Sequence, residues 1–234
     1  MATARIVTWN LERKKPTTPT GAAGVAHLAS LDADVLVLTE GRTSYPAGDG
    51  HVVWSQPLGR GPEERLVVMW SRQPWRSVDD VGLPDLPPGR FVSATTETPI
   101  GPIDVLGVCI PWHMADVQYG ARNRKPWEVH IAYLEVFVDV LAGWPNDRPV
   151  VVAGDFNQRL TNPMKRDGRY TEPMFRCFEQ MDMPTIGVVP DWPREENDHI
   201  ATSGLTTTNV WAWPNVIDGV RCSDHGGVLI DVEH

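Results

Sequence analysis

Short apolar runs alternate along the chain with polar segments rich in Gly and Pro, and the period of each run sets the element it predicts. Residues 5–10, 35–40, 51–56, 66–71, 91–96, 103–110, 150–153, 199–203 and 228–232 are predicted strands. Helical spacing is carried by 24–31, with Val25, Leu28 and Ala29 on one face, and by 128–141, with Ile131, Leu134, Val138 and Leu141. Pro126 stands where that second helix can begin, and 172–181 is a third helix. Many strands with few helices predict an α/β chain of sheets packed face to face, with helices outside. No repeat, low-complexity tract or linker breaks the pattern, and 234 residues suit a single domain.

The polar residues fall where the apolar runs stop. Asn10 closes the first strand, Glu40 the second, and Asp155 and Asn157 follow Val150-Val151-Val152-Ala153-Gly154. Asp198 opens a later strand, and Asp224-His225 precedes the last. A buried run ending in Gly-Asp-Phe-Asn is a rigid rod that delivers oxygen-bearing side chains to one rim. Such oxygens suit a hard divalent cation such as Mg2+, which keeps several waters and takes one or two carboxylates. Taken singly, each piece has a plainer reading: Asn or Asp at a strand end usually bonds nearby backbone in a turn. The weight lies in their order along one chain.

In that order, Thr8-Trp9-Asn10, Leu38-Thr39-Glu40, Gly154-Asp155-Phe156-Asn157, Asn197-Asp198-His199-Ile200 and Ser223-Asp224-His225 resemble the endonuclease/exonuclease/phosphatase superfamily of metal-dependent phosphoesterases. The resemblance covers essentially the whole chain, and Gly-Asp-Phe-Asn with Ser-Asp-His is its most specific part. It implies a DNase I-like four-layer α/β sandwich, two mixed β-sheets flanked by helices. It also implies roles: Glu40 as principal metal ligand, with Asp224 and Asn10 near the ion; Asp155 activating the water; Asn157 holding a phosphoryl oxygen. His225 would contact the phosphate, oriented by Asp198. Mg2+ is the implied cofactor, with Mn2+ as a substitute.

The chemistry asks for these residue types in any case. An anionic phosphate ester resists attack until a cation offsets its charge and a carboxylate takes the water's proton. A histidine held through one ring nitrogen by an Asp keeps a fixed tautomer and gains basicity. His113, after the strand at 103–110, is a candidate for the leaving group, against a loop histidine packed on Trp112. His27, His51 and His130 fall within helix or strand patterns and take no role. His199 should face away from Asp198, because neighbouring strand residues alternate faces.

Composition narrows the substrate. Lys and Arg number 21 against 30 Asp and Glu, a formal charge of −9, which excludes binding of nucleic acid by broad positive charge. Recognition would fall to the metal and a narrow basic rim: Arg13-Lys14-Lys15 behind Asn10, and Arg122, Arg124 and Lys125 behind His113. Arg122 and Lys125 are candidate phosphate-binding residues alongside Asn10 and Asn157. The second motif of inositol phosphatases, Pro, Trp, Asp and Arg before the late strand, is missing at Asn197-Asp198-His199. The Tyr that abasic-site nucleases carry near Cys109 is missing too.

The three cysteines, Cys109, Cys177 and Cys222, lack the spacing of a zinc site or redox pair and read as core residues. The 10 tryptophans, several beside Pro, either pack loops or offer stacking faces. No signal peptide and no membrane-spanning run is apparent, so a monomeric cytoplasmic protein with no membrane partner is expected. The favoured function is a nuclease acting on DNA or RNA. A phosphatase for a small phosphorylated molecule and an inactive phosphate-binding relative are the alternatives.

Overall fold

The computed structural model describes residues 2–45, 48–57, 61–117, 124–160, 168–187, 189 and 196–234. In chain order the elements are β1 (Ala4–Asn10), α1 (Pro19–Ser30), β2 (Val35–Arg42), β3 (His51–Trp54), β4 (Glu64–Ser71), β5 (Arg76–Asp79), β6 (Phe91–Thr98) and β7 (Gly101–Cys109). There follow α2 (Glu128–Ala142), β8 (Val150–Asp155), α3 (Gly168–Cys177), β9 (Asp198–Ser203), β10 (Thr206–Trp213), β11 (Val216–Ile217), β12 (Val220–Arg221) and β13 (Gly227–Glu233).

Among the described residues these strands form a six-stranded sheet, β10-β13-β1-β2-β4-β3, a five-stranded sheet, β5-β6-β7-β8-β9, and the small ribbon β11-β12. Both large sheets are mixed: β1 runs parallel to β2 but antiparallel to β13, and β7 runs parallel to β8 but antiparallel to β6. The strand period of two divides their side chains between two faces. Inward-facing Ile6, Val35, Val37 and Met69 of one sheet meet Ile103, Val105, Val151 and Ile200 of the other. On the far side of the second sheet, Leu106, Val108 and Val152 pack on Tyr133, Leu134 and Phe137 of α2 and Met174 of α3. On the far side of the first, Val7, Trp9 and Leu36 pack with Leu28 of α1. The result is the expected four-layer α/β sandwich.

The nine predicted strands all form, each within a few residues of its expected bounds. The differences have physical reasons. Helix α1 starts earlier than 24, at Pro19, because the Thr18 side chain caps it by accepting the Gly21 N–H. Its first turn carries no apolar periodicity, since a Cβ on Gly21 would lie 1.9 Å from the Lys15 carbonyl oxygen. Helix α3 begins at Gly168 and ends at Cys177 rather than spanning 172–181, with Pro173 inside it. β5 and most of β10 escape the pattern because their residues are largely exposed and polar. The cysteines are free and buried. No helix of the described residues is long and apolar enough to cross a membrane.

His199 turns away from Asp198, as the alternation requires. Its ring is buried against Phe156, with Nε2 3.0 Å from the Gln158 carbonyl oxygen and Nδ1 3.3 Å from Thr185 Oγ1. Burial depresses its pKa to about 4. The unfolded chain therefore takes up this proton near pH 6.5, while the native state refuses it until about pH 4. The stability this represents is complete above pH 6.5 and is lost as pH falls towards 4, amounting to roughly 3 kcal/mol. Urea unfolding between pH 7 and pH 4 should show a shallower loss in His199→Gln than in the parent. Equal slopes would contradict the buried neutral imidazole.

Candidate active site

Parallel strands point the same way, so β1 and β2 deliver Asn10 and Glu40 to one rim of the first sheet, Asn10 pairing with Thr39. In the second sheet β8 ends on Asp155, and antiparallel β9 begins directly across from it on Asp198. The two rims meet with the turn before β13, which brings Asp224 and His225. Together they floor a cleft of about 590 Å³.

Two close backbone approaches make this convergence possible. Gly154 has φ +142°, and a Cβ there would lie 1.9 Å from the Val108 carbonyl oxygen, so only glycine lets β8 reach the rim in this course. Gly227 lies under Trp213, whose ring would be 2.0 Å from an added Cβ. The turn carrying His225 is tied to β1 in two ways, Trp9 Nε1 donating to the His225 carbonyl at 2.9 Å and Ser223 Oγ donating to the Asn10 carbonyl at 2.5 Å, and is braced within itself by the His225 N–H donating to Ser223 Oγ at 3.1 Å. Trp9 and Ser223 of the motifs are thus supports, not reactive groups.

Asp155 is almost wholly buried, and both of its oxygens are held. Asn10 Nδ2 and Asn157 Nδ2 each donate to Oδ2 at 2.9 Å, and the Asn157 N–H donates to Oδ1 at 2.8 Å. Asn157 has φ +53°, a conformation Asn tolerates better than most residues, and its Nδ2 also lies 2.9 Å from the Ile110 carbonyl. Burial raises the Asp155 pKa; the charge of His225 and the Asn10 and Asn157 hydrogen bonds oppose it, and Asp224 adds to the rise.

His225 Nδ1 lies 2.5 Å from Oδ2 of fully buried Asp198. Burial works against the imidazolium, but Asp198, then Asp155 and Asp224, overcome it and push the His225 pKa up to about 10. Burial also raises Asp198, to about 7. Since the imidazole holds its proton to higher pH than its partner, the pair when it carries a single proton is imidazolium and carboxylate. Nε2 is the ring nitrogen that Asp198 leaves unengaged.

Glu40 also has a left-handed backbone, φ +47°, and its Oε2 is met by Arg13 Nη1 at 2.7 Å. Burial raises its pKa, Arg13 lowers it, and Asp155 and Asp224 raise it further. Carboxylate oxygens such as those of Glu40 and Asp224 are the donors a hard cation favours, while Asn10 Oδ1 already accepts the Glu12 N–H at 2.9 Å. Asp155, Asp198 and His225 also present ligand atoms within 4.8 Å of one another. Within that trio His225 Nδ1 is already taken by Asp198, and Glu40, Asp224 and Asn10 line the same cleft.

Of the other expected residues, His113 lines the cleft and packs on Trp112, ring centroids 5.4 Å apart. Lys125 is exposed, its N–H donating to Glu128 Oε2 at 2.9 Å, and it does not reach the cleft. Arg122 lies outside the described residues. The cleft also takes in Arg90, Gln158, Arg159, Trp112 and Trp127, which strand-end reasoning passes over. Gln158 alone had a signal, standing next to the Gly-Asp-Phe-Asn run.

The sequence profile described as "Endonuclease/Exonuclease/phosphatase family" matches residues 7–225. No curated protein sequence matches the chain. Among solved structures it is similar to D. rerio TDP2 humanised by 14 mutations, at 15% identity and TM-score 0.71, covering 99% of each chain. It is also similar to an AP endonuclease from Archaeoglobus fulgidus, at 16% identity and TM-score 0.69, covering 97% of this chain and 98% of the other. ANGEL2, a 2',3'-cyclic phosphatase, is similar at 13% identity and TM-score 0.66, covering 99% and 95%. At such identities the likeness concerns the fold.

Replacing Asp198 by Asn keeps the shape and removes the charge that holds the His225 proton. In Asp198→Asn, an NMR titration of the metal-free protein should find the His225 pKa lowered from about 10 by at least about two units. An unshifted imidazole would show that Asp198 does not set its charge.

Proposed function

Because the chain belongs to the endonuclease/exonuclease/phosphatase family, we propose that it hydrolyses a P–O bond of DNA or RNA with activated water, using Mg2+, or Mn2+ in its place. The observation that carries this reading is the meeting, on one cleft floor, of a triply hydrogen-bonded Asp155, an Asp198-held His225 and the acidic pair Glu40 and Asp224. A structural cluster has no need of so many buried ionisable groups in one open cleft, whereas phosphoester hydrolysis needs each of them.

Glu40 and Asp224, with Asn10 beside them, would hold the cation, whose charge offsets that of the phosphoryl oxygens. Asp155 accepts the proton of the attacking water; a carboxylate whose pKa burial has raised is the better base. Its Asn10 and Asn157 hydrogen bonds aim it, so little motion is needed at the moment of reaction. Asn157 steadies a phosphoryl oxygen. His225 stays cationic at neutral pH and offers Nε2 to the charge that grows on the phosphorus oxygens. His113, exposed on the cleft wall, passes a proton to the departing oxygen. Arg13, Arg90 and Arg159 line the cleft and draw an anionic strand onto an otherwise acidic protein.

Incubation with Mg2+ and a panel of plasmid, single-stranded DNA, RNA and inositol phosphates should give cleavage of nucleic acid that EDTA abolishes. Asp155→Ala should lower turnover by about 100-fold or more, with its folding checked by thermal melting. Cleavage unaffected by EDTA, or an Asp155→Ala enzyme of parental rate, contradicts the mechanism; release of inorganic phosphate from the small substrate alone would favour a phosphatase. Since Arg13 and the cation contend for Glu40, Arg13→Ala should bind Mg2+ several-fold more tightly by titration calorimetry, and unchanged affinity would place the cation elsewhere.

A further inference from the structure

One wall of the cleft is aromatic. Trp112 and His113 follow β7, and Trp127 precedes α2; all three line the cleft. Their rings form a continuous series with Tyr170 of α3. Trp112 and His113 have centroids 5.4 Å apart, His113 and Trp127 5.5 Å, and Trp127 and Tyr170 are stacked at 5.1 Å with planes 20° apart. Neither Trp112 nor Trp127 belongs to a buried apolar cluster: both are half-buried, and His113 is exposed.

The wall is held open at a cost. Trp127 has φ +72°, a left-handed conformation that a bulky residue adopts only under constraint, and α2 begins there without a side-chain cap. The constraint comes from backbone contacts: the Trp127 N–H donates to the His113 carbonyl at 2.7 Å, and buried His130 Nδ1 lies 2.7 Å from the Pro111 carbonyl oxygen. These bonds tie the loop to the helix, and the Trp127 indole also packs edge-on against the His130 ring, centroids 5.0 Å apart. What the strained turn adds is position: it sets the Trp127 indole on Tyr170 and along the wall facing the carboxylates.

Resting on the phosphoesterase reading above, we propose that Trp112 and Trp127 form a base-stacking wall, and that the strand presented to Asp155 and His225 has an unpaired base beside the scissile phosphate. A base inside a duplex has both faces covered by its neighbours and cannot lie on a protein ring, whereas every unpaired base offers a π-face. A cleft of about 590 Å³ has room for one nucleotide with its phosphate over the acidic floor. The substrate class is therefore single-stranded or frayed nucleic acid, and intact duplex is disfavoured.

Binding without turnover tests this. Fluorescence anisotropy in EDTA would compare a labelled single strand, the same strand with its bases replaced by base-free sugars, and the matching duplex. The parent protein should prefer the base-bearing strand over both others. Trp112→Leu and Trp127→Leu should each lose roughly 5- to 100-fold of that affinity and leave the base-free strand unchanged. Trp112→Leu carries the test alone if Trp127→Leu does not fold. Equal affinity for base-bearing and base-free strands, or an equal loss on both, overturns the stacking wall. Base-dependent binding without cleavage of any strand in Mg2+ would count against the phosphoesterase reading alone, and cleavage without base dependence against the stacking wall alone.

Discussion

The hydrogen bond from Asn10 Nδ2 to Asp155 Oδ2, 2.9 Å long, joins the rims of two sheets that share no backbone ladder among the described residues. A buried carboxylate left without partners costs several kcal/mol, so the sandwich is stable with Asp155 inside only where the two sheets hold their register at this seam. Everything else at the floor inherits that placement. Asn157 closes on the same carboxylate from the following turn, and Asp198 stands across the β8-β9 ladder. The packing of Ile6 and Val37 against Val105 and Val151 is thus also what spaces the reactive groups.

Charge at the floor is only partly offset from within. Of Glu40, Asp155, Asp198 and Asp224, two meet a cationic partner, Arg13 on Glu40 and His225 on Asp198. The two pairs differ in kind. Asp198 is sealed from solvent, so its hold on His225 is strong and fixes the ring; Arg13 reaches Glu40 from a half-exposed position, so screening weakens it and it can be exchanged. One pair is rigid, and the other is open to exchange.

Strands whose residues alternate or are apolar throughout were legible, because burial leaves its mark on residue choice; β10, an edge strand reading Thr206-Thr207-Thr208-Asn209, carries no such mark. The convergence of Asn10, Asp155, Asp198 and His225 was legible because strand ends in a sandwich share a rim. So was the outward turn of His199, which needs only the two-residue period. Arg13 stood out as part of a basic run, but its pairing with Glu40 did not. Arg90, Trp127 and Tyr170 join the cleft through tertiary approach of separate elements, and nothing local in their neighbourhoods announces it. Lys125 illustrates the reverse: a basic residue in a suggestive place that is exposed and not among the residues lining the cleft.

The position of β13 between β10 and β1 has a consequence for synthesis. A nascent chain extended through β9 already carries Asn10, Glu40, Asp155 and Asp198, yet Asp224 and His225 and the strand that seats them are still to come. Until β13 inserts, β1 lacks its antiparallel partner, and Asp198 sits in the growing sheet without its counter-ion. The pair of His225 with Asp198 therefore depends on the same stretch of chain that completes the first sheet, so the earlier segments alone hold the acidic groups without it.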